Sequence, residues 1–330
     1  MSYFGPDATP LFGLPLADIW FVAVLAFLAT FLFLDGFDFG VGVLYASRTD
    51  PERETMLAAI GPFWDGNEVW LVVFGGALFA AFPPVYAALF SRHYVLLFGV
   101  LFALALRGLA PELRGEFDDP RWRQGWDTAF IVGSAAAPFL LGAFAANWAL
   151  GLSGFGVPAF AVGVAVVLLC VTEGAAFLAL KSRGRLREEG RRLAVRGAIS
   201  YLVWVVISLG YLYAFVPASR PTLTSSGGIV VVVLTALLAL GTAGAALRAH
   251  DYVTLASAGS LSYLLVALVG LLLWPSVEPA SGLSVEAAFV PPLMANLMTV
   301  AAVVLVPVIV FNLAVLYRVF GGPIEADAAY

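Results

Sequence analysis

The stretch Leu16–Tyr45, LADIWFVAVLAFLATFLFLDGFDFGVGVLY, runs for thirty residues without a lysine or arginine and then places two aspartates, Asp35 and Asp38, among phenylalanines and glycines near its end. About 20 apolar residues cross a hydrocarbon core some 30 Å thick, so the run predicts a membrane-spanning helix. It is too long for the apolar core of a signal peptide, and no basic residue precedes it, so it reads as a retained helix.

The rest of the chain repeats the pattern. Hydrophobic residues make up 62% and charged residues 12% of its 330 positions, and mean hydropathy is +0.96. One soluble core could not hide that much apolar surface. Nine apolar runs are expected as spans, over 16–45, 55–82, 85–107, 126–148, 157–180, 197–217, 228–248, 253–274 and 292–317. The runs lack the alternation of barrel strands, and lipid offers the backbone no hydrogen-bond partner, so the fold class is all-α integral membrane. The whole chain, 1–330, is expected to be one membrane domain.

Basic residues set the expected orientation. With the N-terminus outside, the regions following odd-numbered helices hold fifteen of the seventeen lysines and arginines, leaving Arg92 and Arg220 on the other side. The positive-inside rule then predicts an N-out, C-in chain. The basic segment from Lys181 to Arg196 reads as a solvated cytoplasmic loop, not a nucleic-acid site. The single cysteine, Cys170, excludes an internal disulfide.

In this frame Asp35 and Asp38 lie roughly 28 and 33 Å along the first helix, at the cytoplasmic edge of the core. The second run carries GPFWDGNEVWL, with Trp64, Asp65, Asn67 and Glu68. An unbroken helix from Thr55 would put Asp65 roughly 15 Å and Glu68 roughly 20 Å inward, on one face. A charged carboxylate at mid-membrane costs about 2.5–3.5 kcal/mol. Two explanations stand: the acids pass protons as an inward ladder, or they pair with Arg107 and cap helix ends while Gly36 and Gly40 permit close helix contact. In RGLAPELRGEF, Arg107, Glu112 and Arg114 are expected as an interfacial salt-bridge cluster, with Pro111 ending the helix. Glu173 precedes Gly174 in the fifth run as Asp35 precedes Gly36 in the first, hinting at a repeat of helices 1–4 and 5–8.

Haem needs axial His, Met or Cys ligands inside a bundle, yet His93 and His250 fall near expected helix ends. Met294 and Met298 share a helix face with no histidine opposite and are expected as packing residues. The chain alone is therefore expected to hold no haem and no metal. Phosphate-binding loops and dinucleotide fingerprints are missing as well.

LDGFDFGVG, GPFWDGNEVWL with the following GGALFAAFPPVYA, RGLAPELR and LKSRGRL closely resemble subunit II of the cytochrome bd quinol oxidases. The resemblance implies a haem-free subunit of a terminal oxidase that oxidises quinol and reduces oxygen to water in the cell membrane. Its partner, subunit I, would carry two b-type haems, one d-type haem and the quinol-oxidising loop. Small single-helix accessory subunits, membrane lipid and the quinol pool complete the expected partners; nucleic acid is not among them. The implied fold is two four-helix bundles, here 16–150 and 157–274, plus a ninth helix over 292–317. Asp65 would belong to a route bringing cytoplasmic protons toward the haems, with Asp35 and Asp38 at its mouth and Glu68 beyond. Where the family has phenylalanine before the glutamate of its RGLAPELR-like motif, this chain has Pro111. A proton-coupled secondary transporter and a purely structural scaffold remain the rival readings.

Overall fold

A computed structural model of the chain describes residues 3–5 and 8–324. The first expected span is α1 (Leu16–Leu44), which lies at the centre and packs on four other long helices. The second divides. Pro62 lacks an amide hydrogen and its ring clashes with the carbonyl four residues earlier. A turn at 61–63 therefore separates α2 (Asp50–Ile60) from α3 (Trp64–Ala81). The depth count from Thr55 through one continuous helix does not hold.

The third expected run divides at His93 into α4 (Pro83–Arg92) and α5 (Tyr94–Arg114). Pro111 does not end α5, which continues one residue past Leu113. Next come α6 (Pro120–Leu150), α7 (Val157–Lys181) and α8 (Gly184–Phe215). Most of the basic segment expected as a loop is the first half of α8: Arg187 and Arg191, one turn apart, both pair with Asp251, which gives these residues a helical arrangement with a partner. After the short α9 (Arg220–Thr224) come α10 (Ser226–Leu247) and α11 (Asp251–Leu273). A two-stranded hairpin, β1 (Ser276–Glu278) and β2 (Leu283–Ser284), and the one-turn α12 (Val285–Ala288) lead to α13 (Pro292–Val319).

Among the described residues eight helices are long and apolar enough to cross a membrane; α3 is not one of them, because Asp65, Asn67 and Glu68 occupy its first turns. The central seam is α1 against α7. A Cβ added at Gly40 would lie 1.8 Å from the Cys170 carbonyl oxygen, and one at Gly174 2.4 Å from the Val41 nitrogen. Only glycine lets these two backbones meet so closely. By contrast, Ala295 and Asn296 are the only buried residues described on α13.

Candidate functional site

Three residues apart on α1, Asp35 and Asp38 point the same way, and both are fully buried. Arg107, one turn before Pro111 on α5, meets them. Its Nη1 donates to Asp35 Oδ2 at 3.0 Å, while Nη2 lies 2.7 Å from Asp35 Oδ1 and 3.9 Å from Asp38 Oδ2. The guanidinium rests on the Phe39 ring at 4.4 Å, with the Trp64 ring at 5.9 Å. Aromatic faces suit a desolvated cation. Only 1% of Arg107 is exposed.

Asn67 extends the network from α3. Its Nδ2 donates to Asp38 Oδ2 at 2.8 Å, and its Oδ1 accepts from the Tyr317 hydroxyl of α13 at 2.7 Å. Asp38 Oδ1 is buried and takes no hydrogen bond from the protein. The result is one cation serving two buried carboxyls, so the site holds a carboxyl in excess of its positive charge.

Glu68, half-buried, sits beside this group, but Asp65 is exposed on the outward side of α3. The period of α3 explains the split: Asn67, Trp70, Phe74 and Leu78 face inward, and Asp65 does not share their face. Within the chain the acids therefore do not form one ladder; Asp35 and Asp38 are joined, and Asp65 lies on the surface.

The expected cluster of Arg107, Glu112 and Arg114 is also divided. Glu112 is exposed, and Arg114 instead bonds Asp127 Oδ1 at 2.7 Å and Glu54 at 2.6 Å. Helical geometry accounts for this, since Arg107 and Arg114 are two turns apart and reach different layers. Asp127 on α6 is the hub there, accepting from the Tyr45 hydroxyl at 2.5 Å and from Arg53 at 3.0 Å. Glu173 is fully buried on α7, where Ser262 Oγ donates to its Oε1 at 2.6 Å. A Cβ at Gly36 would stand 2.3 Å from its Oε2, so the acid-glycine pairs of α1 and α7 meet each other.

Sequence reasoning missed Tyr317, Asp127 and Ser262. Tyr317 and Ser262 bond residues 250 and 89 positions away, and Tyr45 and Arg53 are 82 and 74 positions from Asp127, so no local motif marks them.

The model of the cytochrome bd terminal oxidase subunit II family matches residues 16–320. The chain belongs to that family. A Bacillus subtilis relative, described as cytochrome bd ubiquinol oxidase subunit 2, is 31% identical over 328 residues, covering 92% of this chain and 96% of its own. The cytochrome bd-I ubiquinol oxidase subunit 2 of Escherichia coli K12 is 32% identical over 371 residues, covering 94% and 95%. A chain of the bd oxidase from Geobacillus thermodenitrificans superposes with a TM-score of 0.77 at 19% identity, over 93% of this chain and 99% of that one, which establishes the shared fold.

The family name implies haem in the assembled oxidase. His93 packs edge-on against Phe144, whereas His250 lines a small pocket with Arg187 and Asp251. These histidines have separate surroundings, and no group of three or more metal-ligating side chains occurs among the described residues. The two histidines therefore do not form an axial pair for a haem.

Proposed function

We propose that this chain is the haem-free subunit of a quinol-oxidising, oxygen-reducing complex, that it stabilises a haem-bearing subunit I, and that it supplies part of the cytoplasmic proton route. The observation that carries the reading is the Asp35–Arg107–Asp38–Asn67 network. A buried site with a surplus carboxyl, set where charge is expensive, suits a mobile proton better than a fixed ion pair.

In this reading the chain spans the membrane nine times, with α3 as the ninth span, N-terminus outside and C-terminus in the cytoplasm. It divides into bundles over 16–150 and 157–274 plus α13. The strongly one-sided basic residues support that orientation. Asp35 and Asp38 hold protons at the inner mouth, and Asp65, exposed on α3, becomes buried where subunit I covers it. An acid left against lipid would be costly, which supports a protein partner on that face. Protons taken from the cytoplasm and electrons delivered from quinol oxidised at the other side would make turnover electrogenic. The isolated chain would be inactive, and the cell membrane, with its lipid and quinol pool and any small accessory subunit, would be its setting.

The Asp35–Arg107 pair also favours a second reading, in which the acids only hold helices together. Asp38→Asn separates the two, since it removes the titratable proton of a networked carboxyl while keeping its shape. For proton conduction we expect full haem content, fast haem reduction by quinol and slow oxygen consumption per haem. Scaffolding predicts poor assembly with parental consumption per assembled complex.

A further inference from the structure

We propose that Tyr317 is a positioning residue for the Asn67 amide, and that its hydroxyl lets this amide serve Asp38 whether or not that acid holds a proton. The inference rests on the proton-route reading and extends it to a helix which that reading leaves aside.

Asn67 is fully buried between two partners and can call on no bulk water. One arm of an amide donates and the other accepts, while a carboxylate only accepts and a carboxylic acid can donate. When Asp38 is ionised, Asn67 must face it with Nδ2, the arrangement seen at 2.8 Å. When Asp38 carries a proton and donates it toward the amide, Oδ1 must turn to the acid. Each turn reverses what the far arm requires, from a donor to an acceptor. A hydroxyl supplies both; an ammonium or guanidinium only donates, and a phenyl ring does neither. Tyr317, at 2.7 Å from Oδ1, is the residue in that place.

The tyrosine is also held as a positioned group. Its ring lies 4.6 Å from that of Phe63, which precedes α3. Just beyond it, Lys181 donates to the Phe320 and Gly322 carbonyls, and the Ile324 amide donates to the Lys181 carbonyl at 2.9 Å. The end of α13 is thus anchored independently of the Asn67 bond. The charged groups around Asp38 are Arg107 of α5, Asp35 of α1 and Glu68 of α3; removing the Tyr317 hydroxyl changes none of them.

The test uses the assembled oxidase carrying Tyr317→Phe, Phe63→Leu or Asp38→Asn beside the parent. Infrared spectra recorded across pH assign the Asp38 carboxyl band as the one lost in Asp38→Asn, and oxygen uptake per haem is followed on the same samples. In Tyr317→Phe we expect parental haem content, a displaced pH midpoint for the Asp38 band, and uptake lowered about fivefold, the scale of one hydrogen bond. Phe63→Leu, which weakens the ring contact but keeps the hydroxyl, should leave the midpoint in place. An unmoved midpoint in Tyr317→Phe, an equal displacement in Phe63→Leu, a failure of Tyr317→Phe to assemble, or no titrating band lost in Asp38→Asn would each overturn the proposal. Parental uptake in Asp38→Asn with a displaced band in Tyr317→Phe would remove the proton-route reading and leave the positioning role. Slow uptake in Asp38→Asn with an unmoved band in Tyr317→Phe would do the reverse.

Discussion

The Arg107 guanidinium closes on the Asp35 carboxylate at 2.7 Å with both side chains buried, joining α5 to α1 inside the bundle. Removing one partner of such a pair strands a charge, at about 3–5 kcal/mol. Arg107→Ala should therefore lower the yield and thermal midpoint of the complex more than its turnover per haem. An apolar double replacement, Arg107→Met with Asp35→Leu, should recover much of the midpoint, since the uncompensated charge is gone. Parental stability in Arg107→Ala would show that the pair contributes little.

Asp127 ties three elements together through Tyr45, Arg53 and Arg114. The two arginines are partly exposed, so solvent screening keeps each ion pair below the strength of a fully buried one. Asp127→Ala should destabilise the complex by about 1–3 kcal/mol, read as a lower melting midpoint. Turnover of the surviving complex should stay near the parent's. A collapse of turnover without loss of stability would place Asp127 in the chemistry instead.

The α1–α7 seam makes a sharper demand. With the Cys170 carbonyl 1.8 Å from a Cβ at Gly40, Gly40→Ala can be housed only by moving a backbone. Overpacking of a tight core costs about 1–3 kcal/mol, and a backbone clash in a central seam should reach the top of that range. Gly75→Ala, where a Cβ meets nothing within 4 Å, is the matched control. Equal yields of the two variants would contradict the packing argument.

Much of this was legible from residue patterns because the bilayer imposes a length and an apolar composition on each span. Runs such as 157–180 and 292–317 therefore match α7 and α13 closely. The acids of α1 announced a buried site, and Arg107 was named as a partner for them. What failed was local backbone behaviour. Pro62 broke a run that composition alone left continuous, and the break at His93 has no glycine or proline to signal it. That same break in the second run misdirected the depth of Asp65. Tyr317 and Asn67 are 250 positions apart, and a tyrosine in the last turn of an apolar helix reads as an interface anchor until the fold brings it beside the amide.

The short α2 offers a dependence on pH. Thr49 and Glu52 form a capping box, and the hydrogen bonds from Thr49, its backbone N–H first, hold the Glu52 carboxyl below its ordinary range. A lowered folded value means that the ionised form stabilises the cap. That stability is present above the ordinary glutamate value of about 4.3 and is lost as pH falls through the lowered one. Protection factors of the amides across 50–60, corrected for the intrinsic slowing of exchange in acid, should fall as pH is lowered in the parent. Glu52→Gln, which keeps a box-forming acceptor without the charge, should flatten that response. Thr49→Ala should weaken the helix start by about 1 kcal/mol at neutral pH. An identical acid response in Glu52→Gln would assign the effect to other groups.

Lys181 gives the last prediction, because it is the anchor on which the placement of Tyr317 depends. Its ammonium, at the end of α7, serves the Phe320 and Gly322 carbonyls just past α13 and lies over the Phe63 ring at 4.8 Å. A cation at a helix C-terminus satisfies carbonyls that have no helical partner and opposes the helix dipole. Lys181→Met keeps the length and apolar stem but withdraws both hydrogen bonds, at about 1–3 kcal/mol. With so little of α13 buried, the loss should appear locally, as faster amide exchange at 318–324 while the outer end around Asn296 stays protected by its bonds to the Thr9 carbonyl and the Leu11 amide. Lys181→Arg should restore protection, since a guanidinium can reach the same carbonyls. If Lys181→Met leaves exchange at 318–324 unchanged, then Tyr317 and the Phe63 contact hold the helix end themselves, and the tyrosine is anchor as well as hydrogen-bond partner.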